Sequence, residues 1–172
     1  VLGTILMLGA STISSVGESF VYLAADARTV EVGQLVAVDL MISAHTPINA
    51  IDITITHAQE FLEVFSVDRG KSVLTIWTED PIIQSDSVQL VGGTFKRGFI
   101  GEHQIVSVKY RAKKAGSYDV SISGVTFVAG DGTGTEVLAA VSPGNSLALF
   151  NFDDNTPPEQ IAAAASRVLT TD

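Results

Sequence analysis

Two stretches of this chain switch side every residue, and that constrains its fold more than any other feature. Over 35–43, Leu35, Ala37, Asp39 and Met41 alternate with Val36, Val38, Leu40 and Ile42. Over 50–57, Ile51, Ile53 and Ile55 face one way while Asp52, Thr54 and Thr56 face the other. Successive side chains of a strand point to opposite faces, so a period of two marks a sheet with one buried and one wet face. Further short β-rich runs lie near 20–23, 28–32, 62–67, 73–77, 87–91, 104–112, 117–122, 125–129 and 146–151. Many short strands broken by Gly-bearing turns predict an all-β jelly roll or sandwich of about nine strands.

The chain has 172 residues, enough for one domain with appendages and a core that needs no covalent staples. With 46% hydrophobic and 17% charged residues it is far from the disordered class. A net charge of −9 argues against nucleic acid and against an anionic membrane surface, both of which call for clustered Lys and Arg. There is no cysteine, which removes disulfides, thiol chemistry and Cys-based metal sites.

Both ends differ from the middle. Val1–Val16 carries no charge, and VLGTILMLGAS resembles the apolar core and small-residue end of a secretory signal. About 20 apolar residues are needed to span a bilayer as a helix, so the segment is a membrane element only as an anchor. Leu2, Ile5, Leu6, Met7, Leu8 and Ile13 are its large apolar residues. Gly3, Ala10 and Gly17 suit close helix packing, while Thr4, Ile5, Thr12 and Ile13 suit a strand donated to a neighbour's sheet. Either conformation predicts head-to-tail self-assembly into a filament or array. At the other end, Asn155 or Thr156 as a cap, Pro157 and Pro158 in the first turn and Glu159 near the positive dipole end predict a helix over 157–169. Its apolar stripe is Ile161, Ala164, Ala165 and Val168, which has to dock on the sandwich or on another subunit.

The order of landmarks between Val32 and Glu136 resembles the bacterial cohesin domains. TVEVGQLVAVDLMISA is similar to the family's opening Gly and long hydrophobic strand; a loop holding Pro47 follows. AIDITITHAQEFLEVFSVDRG resembles the next strand, turn, Leu-Glu-Val strand and closing Gly. GGTFKRGFIGEHQIVSVKYRAKKAG and VTFVAGDGTGTEV resemble the later Gly-bearing loop, the strand with its Lys–Gly turn and the Asp-Gly hairpin. The resemblance implies a nine-stranded jelly-roll module that binds protein partners without catalysis, one sheet face receiving a dockerin helix. Asp52 matches a contact acid of that face, with Thr54 and Thr56 in its row and Asn49 beside it. Ala50 stands where the family has Asn, and His57-Ala58-Gln59 replaces its Tyr-Asp-Pro, departures that bear on dockerin binding and not on the fold.

Other chemistry is weakly supported. His45, His57 and His103 lack metal-ligand spacing and read as solvated loop or edge histidines. No Gly-x-Ser-x-Gly elbow occurs, and GDGTGTE at 130–136 lacks the Lys-Ser/Thr pair of a P-loop. Asp131 with Glu136 has oxygens for calcium, but Asp-Gly between strands is first of all a tight-turn signal. Glu79 and Asp80 are adjacent and point apart in a strand, which disqualifies them as paired glycosidase acids. Trp77 is either core or, if exposed, a sugar platform or interface anchor.

These features predict three regions: an apolar assembly or anchor segment (1–17), a cohesin-like sandwich (18–152), and a linker with a helix (153–172). They predict a non-enzymatic extracellular surface protein, without metal or cofactor, that contacts copies of itself or another surface protein. A receptor for a dockerin-like partner and a polysaccharide-binding module are the alternatives.

Overall fold

The computed structural model describes residues 17–95, 97–140 and 142–167. Among them are eleven strands: β1 (Phe20–Ala25), β2 (Thr29–Glu31), β3 (Leu35–His57), β4 (Leu62–Asp68), β5 (Ile76–Trp77), β6 (Ile82–Ile83), β7 (Ser87–Gly93), β8 (Phe99–Ala112), β9 (Gly116–Ala129), β10 (Glu136–Val137) and β11 (Ser146–Phe152). One helix, α1 (Pro158–Ser166), follows. The segment 1–16, with the assembly residues expected there, lies outside the described residues.

β3 organises the jelly-roll sandwich because it belongs to both of its sheets. Its first half pairs with β1 on one side and β8 on the other, with β4 beyond β8. Its second half pairs with β7 and β9. β11 and β2 continue that sheet beyond β9, and β5 and β6 beyond β7, while β10 pairs with the end of β9. The sequence predicts a loop at Pro47; instead β3 runs through it, with register shifts on both sides of Ile48. Proline is tolerated there because no ladder donor is required at the crossing, and Pro47 still accepts from Gly130 N at 2.9 Å.

Fusion and trimming explain the strand count. The runs 35–43 and 50–57 become one strand, as do 117–122 and 125–129, while the two-residue strands β6 and β10 add two edges that carry no sequence signal. The run 73–77 shrinks to Ile76–Trp77. The alternation sets the faces: Val36, Val38, Leu40, Ile42, Ile51, Ile53 and Ile55 are all buried, in one cluster with Leu90, Val108 and Phe127. At ~1.5–3 kcal/mol for each large apolar side chain removed from water, this one-sidedness fixes which face of β3 is buried and forbids a slip of one residue.

The helix is shorter at its start than predicted, and its cap differs. Pro157 occupies the cap position without a side-chain bond. Thr156 Oγ1 instead joins Asp153, whose Oδ1 also accepts from Asn155 N at 3.0 Å, so these residues stabilise the turn before the helix. Ile161 and Ala164 are half-buried where α1 rests on β11 and β2, whereas Ala165, expected in the stripe, is exposed. Val168 lies outside the described residues.

Candidate functional site

The wet face of β3 continues across its neighbours. Asp52 stands between Val91 of β7 and Thr126 of β9, Thr54 between Gln89 and Gly124, and Thr56 between Ser87 and Ser121. Directly paired residues share a face, so three strands present a platform of short polar side chains. Asp52 is exposed, Thr54 and Thr56 half-buried, and Ile51, Ile53 and Ile55 lie beneath them in the core.

Hydrogen bonds hold the platform in place. Gln89 Nε2 donates to Asp52 Oδ1 at 3.1 Å, fixing the carboxylate toward β7. Thr56 Oγ1 donates to the Ser121 carbonyl at 3.3 Å, and Ser123 Oγ to that of Thr54 at 3.4 Å. Ile82 of β6 pairs with Gln89 and is 37% exposed, adding an apolar rim to the polar row. Asn49 falls outside the row: it sits in the register shift between Ile48 and Ala50, and its Oδ1 accepts from Thr94 Oγ1 at 3.5 Å. Gln89 and Ile82 were not singled out from sequence. Ser87, Gln89 and Val91 do alternate with buried Val88 and Leu90, a usable signal. Ile82 sits in a two-residue strand, too short for periodicity.

Trp77 is half-buried against the core and lies across Gly92, its partner in β7. The Arg69 guanidinium sits 5.2 Å from the centre of its ring, and Arg69 also pairs with Asp80 at 3.1 Å. Glu79 and Asp80 are exposed. Among the described residues no three His, Asp or Glu gather as metal ligands. Asp131 is bound within its own turn, accepting from Thr133 N at 2.9 Å and Thr133 Oγ1 at 2.6 Å. These bonds hold its carboxyl below the usual carboxylate range.

His57 corrects the expectation of a solvated histidine. It closes β3 with 5% exposure, its ring 5.0 Å from that of Tyr110 on β8. Its ring nitrogens and Tyr110 Oη are buried without a hydrogen-bond partner. Its odd position in the alternation sends it inward with Ile51, Ile53 and Ile55, a consequence readable from the sequence.

No family model and no curated protein matches the chain. Solved structures do. A non-cellulosomal cohesin from the archaeon Archaeoglobus fulgidus superposes with a TM-score of 0.64 at 17% identity, over 81% of this chain and 94% of that one. The fold is cohesin-like. A cohesin module of a family 33 glycoside hydrolase from Clostridium perfringens gives a TM-score of 0.64 at 14% identity, covering 81% and 98%. The sixth cohesin of Acetivibrio cellulolyticus scaffoldin B, solved with a dockerin, gives 0.61 at 21% identity, covering 77% and 99%. The cohesin-like domain of this chain therefore extends beyond the stretch Val32–Glu136 that carries the sequence resemblance.

Proposed function

We propose that this domain is a non-catalytic extracellular receptor that takes a helical, dockerin-like protein partner on the outer face of β7, β3 and β9. The observation that carries this reading is the ordered row of Asp52, Thr54 and Thr56, with the Asp52 carboxylate held by Gln89 and an apolar rim at Ile82. A polar row beside an apolar anchor is how a specific, reversible interface is composed. Similar cohesin modules have been solved in complex with dockerins, among them that of Acetivibrio cellulolyticus and one from Clostridium thermocellum. Ala50 stands where the cohesin resemblance implies Asn, so the partner's helix finds one fewer polar contact at that point.

The test is capture of partners from a surface-protein extract, followed by titration with purified dockerin modules. Wild type should retain a dockerin-bearing protein, and Asp52→Arg with Thr54→Arg should release it while unfolding at the same temperature. Equal capture by both proteins, or specific glycan binding lost in Trp77→Ala, overturns the assignment.

A further inference from the structure

A second cleft lies on the other sheet, at its β1 edge. Phe20 pairs with Ser43 and Ser43 with Glu102, so three strands bring an aromatic ring, a hydroxyl and a carboxylate side by side. Tyr22, two residues along β1, turns its ring to the same face, 6.1 Å from that of Phe20 and tilted by 43°. The Tyr22 hydroxyl donates to Glu102 Oε1. The short turn at 142–145 closes the side: a Cβ on Gly144 would come within 2.7 Å of Tyr22 Cβ, so its backbone rests directly on β1. Together these residues wall an open cleft of about 370 Å³.

The chemistry of the cleft selects its occupant. Glu102 is the charged residue among those lining it, and it stands next to two aromatic rings on a chain of net charge −9. Aromatic faces attract cations, and a carboxylate adds a charge-assisted hydrogen bond. A guanidinium satisfies both at once, stacking flat on a ring while its fork of N–H donors reaches the carboxylate. We infer that the Phe20–Tyr22–Glu102 cleft is a second recognition site, which receives an arginine side chain presented by a protein partner. It stands on the opposite sheet from Asp52 and does not depend on the dockerin-like reading of that face.

The experiment titrates the whole chain with the blocked peptide Ac-Gly-Arg-Gly-NH2, with its neutral citrulline counterpart and with cellobiose, following backbone amides by nitrogen–proton correlation spectra. The arginine peptide should give saturable shifts at Phe20, Tyr22, Glu102 and the 142–145 turn. Affinity should fall about fivefold with citrulline and in Glu102→Gln, and should weaken as salt rises. Glu102→Gln still offers a carbonyl to the Tyr22 hydroxyl. Tyr22→Phe keeps both ring and carboxylate, and should bind within about twofold of wild type if charge and stacking carry recognition. Equal shifts from citrulline, stronger binding of cellobiose, shifts elsewhere or no saturable shift overturns the proposal.

Discussion

The Tyr118 hydroxyl donates to Asn151 Oδ1 at 2.7 Å inside the sandwich, where Asn151 is fully buried. Asn151 Nδ2 in turn donates to the carbonyls of Phe61 and Lys114, both at 3.0 Å. One amide thus ties β11 to β9, to the segment before β4 and to the turn before β9. The Phe61 ring stacks on Tyr118 at 5.4 Å, sealing the group from water.

Asn151→Leu should therefore be among the most damaging single changes. It strands the buried Tyr118 hydroxyl and takes a donor from the Lys114 carbonyl, while the Phe61 carbonyl keeps its bond from Lys113 N at 2.8 Å. Each group left unsatisfied costs ~1–3 kcal/mol. Tyr118→Phe removes only one partner and should cost ~1 kcal/mol. Urea unfolding of the two variants checks this; equal losses would show that Asn151 holds the segments by packing alone.

His57 predicts a component of acid instability. Burial holds its imidazole below the ordinary value of 6.5; Lys113 adds to the lowering, while Asp86 and the Ser85 backbone oppose it without reaching hydrogen-bond geometry. The folded chain thus favours the neutral ring. On acidification the unfolded chain takes up the proton first, so stability is full above 6.5 and falls from there until the folded-state value is passed. One proton contributes a slope of at most ~1.4 kcal/mol per pH unit. His57→Phe should gain on wild type as the pH falls below 6.5. Parallel stability–pH curves would assign the acid response to the carboxylates alone.

Two glycines separate backbone conformation from close approach. Gly33 and Gly98 both have positive φ, at 92° and 94°. A Cβ on Gly33 meets nothing within 4 Å, whereas one on Gly98 would lie 2.8 Å from the carbonyl oxygen of Ile48. Gly33→Ala should cost ~1 kcal/mol and Gly98→Ala at least about 1 kcal/mol more, because Ile48 sits where β3 crosses between sheets. Equal thermal shifts would mean that the crossing yields freely.

Arg111 and Glu63 predict a small effect. Arg111 Nη1 lies 3.4 Å from Glu63 Oε1, and its guanidinium covers the Phe65 ring at 4.8 Å. Both charges are well exposed, so Glu63→Ala should change stability by no more than ~0.5 kcal/mol. Arg111→Ala should cost more, since it also uncovers Phe65, which is already 52% exposed. A double-mutant cycle in low and high salt measures the difference.

The sequence by itself determined the local and one-sided features. Period-two alternation named the strand faces and the core of β3, and it set Asp52, Thr54 and Thr56 on the wet side, because a slip of one residue would exchange the isoleucines with the polar row. Proline and acid placement found α1. Tertiary structure alone decided what lies next to what. Pro47 became a crossing and not a loop because two sheets share one strand. Gln89 reached Asp52, and Glu102 reached Phe20 and Tyr22, through pairings between strands distant in sequence. Those contacts depend on register across the sheet, and register is chosen by the packed core as a whole, so no local pattern in the chain encodes it.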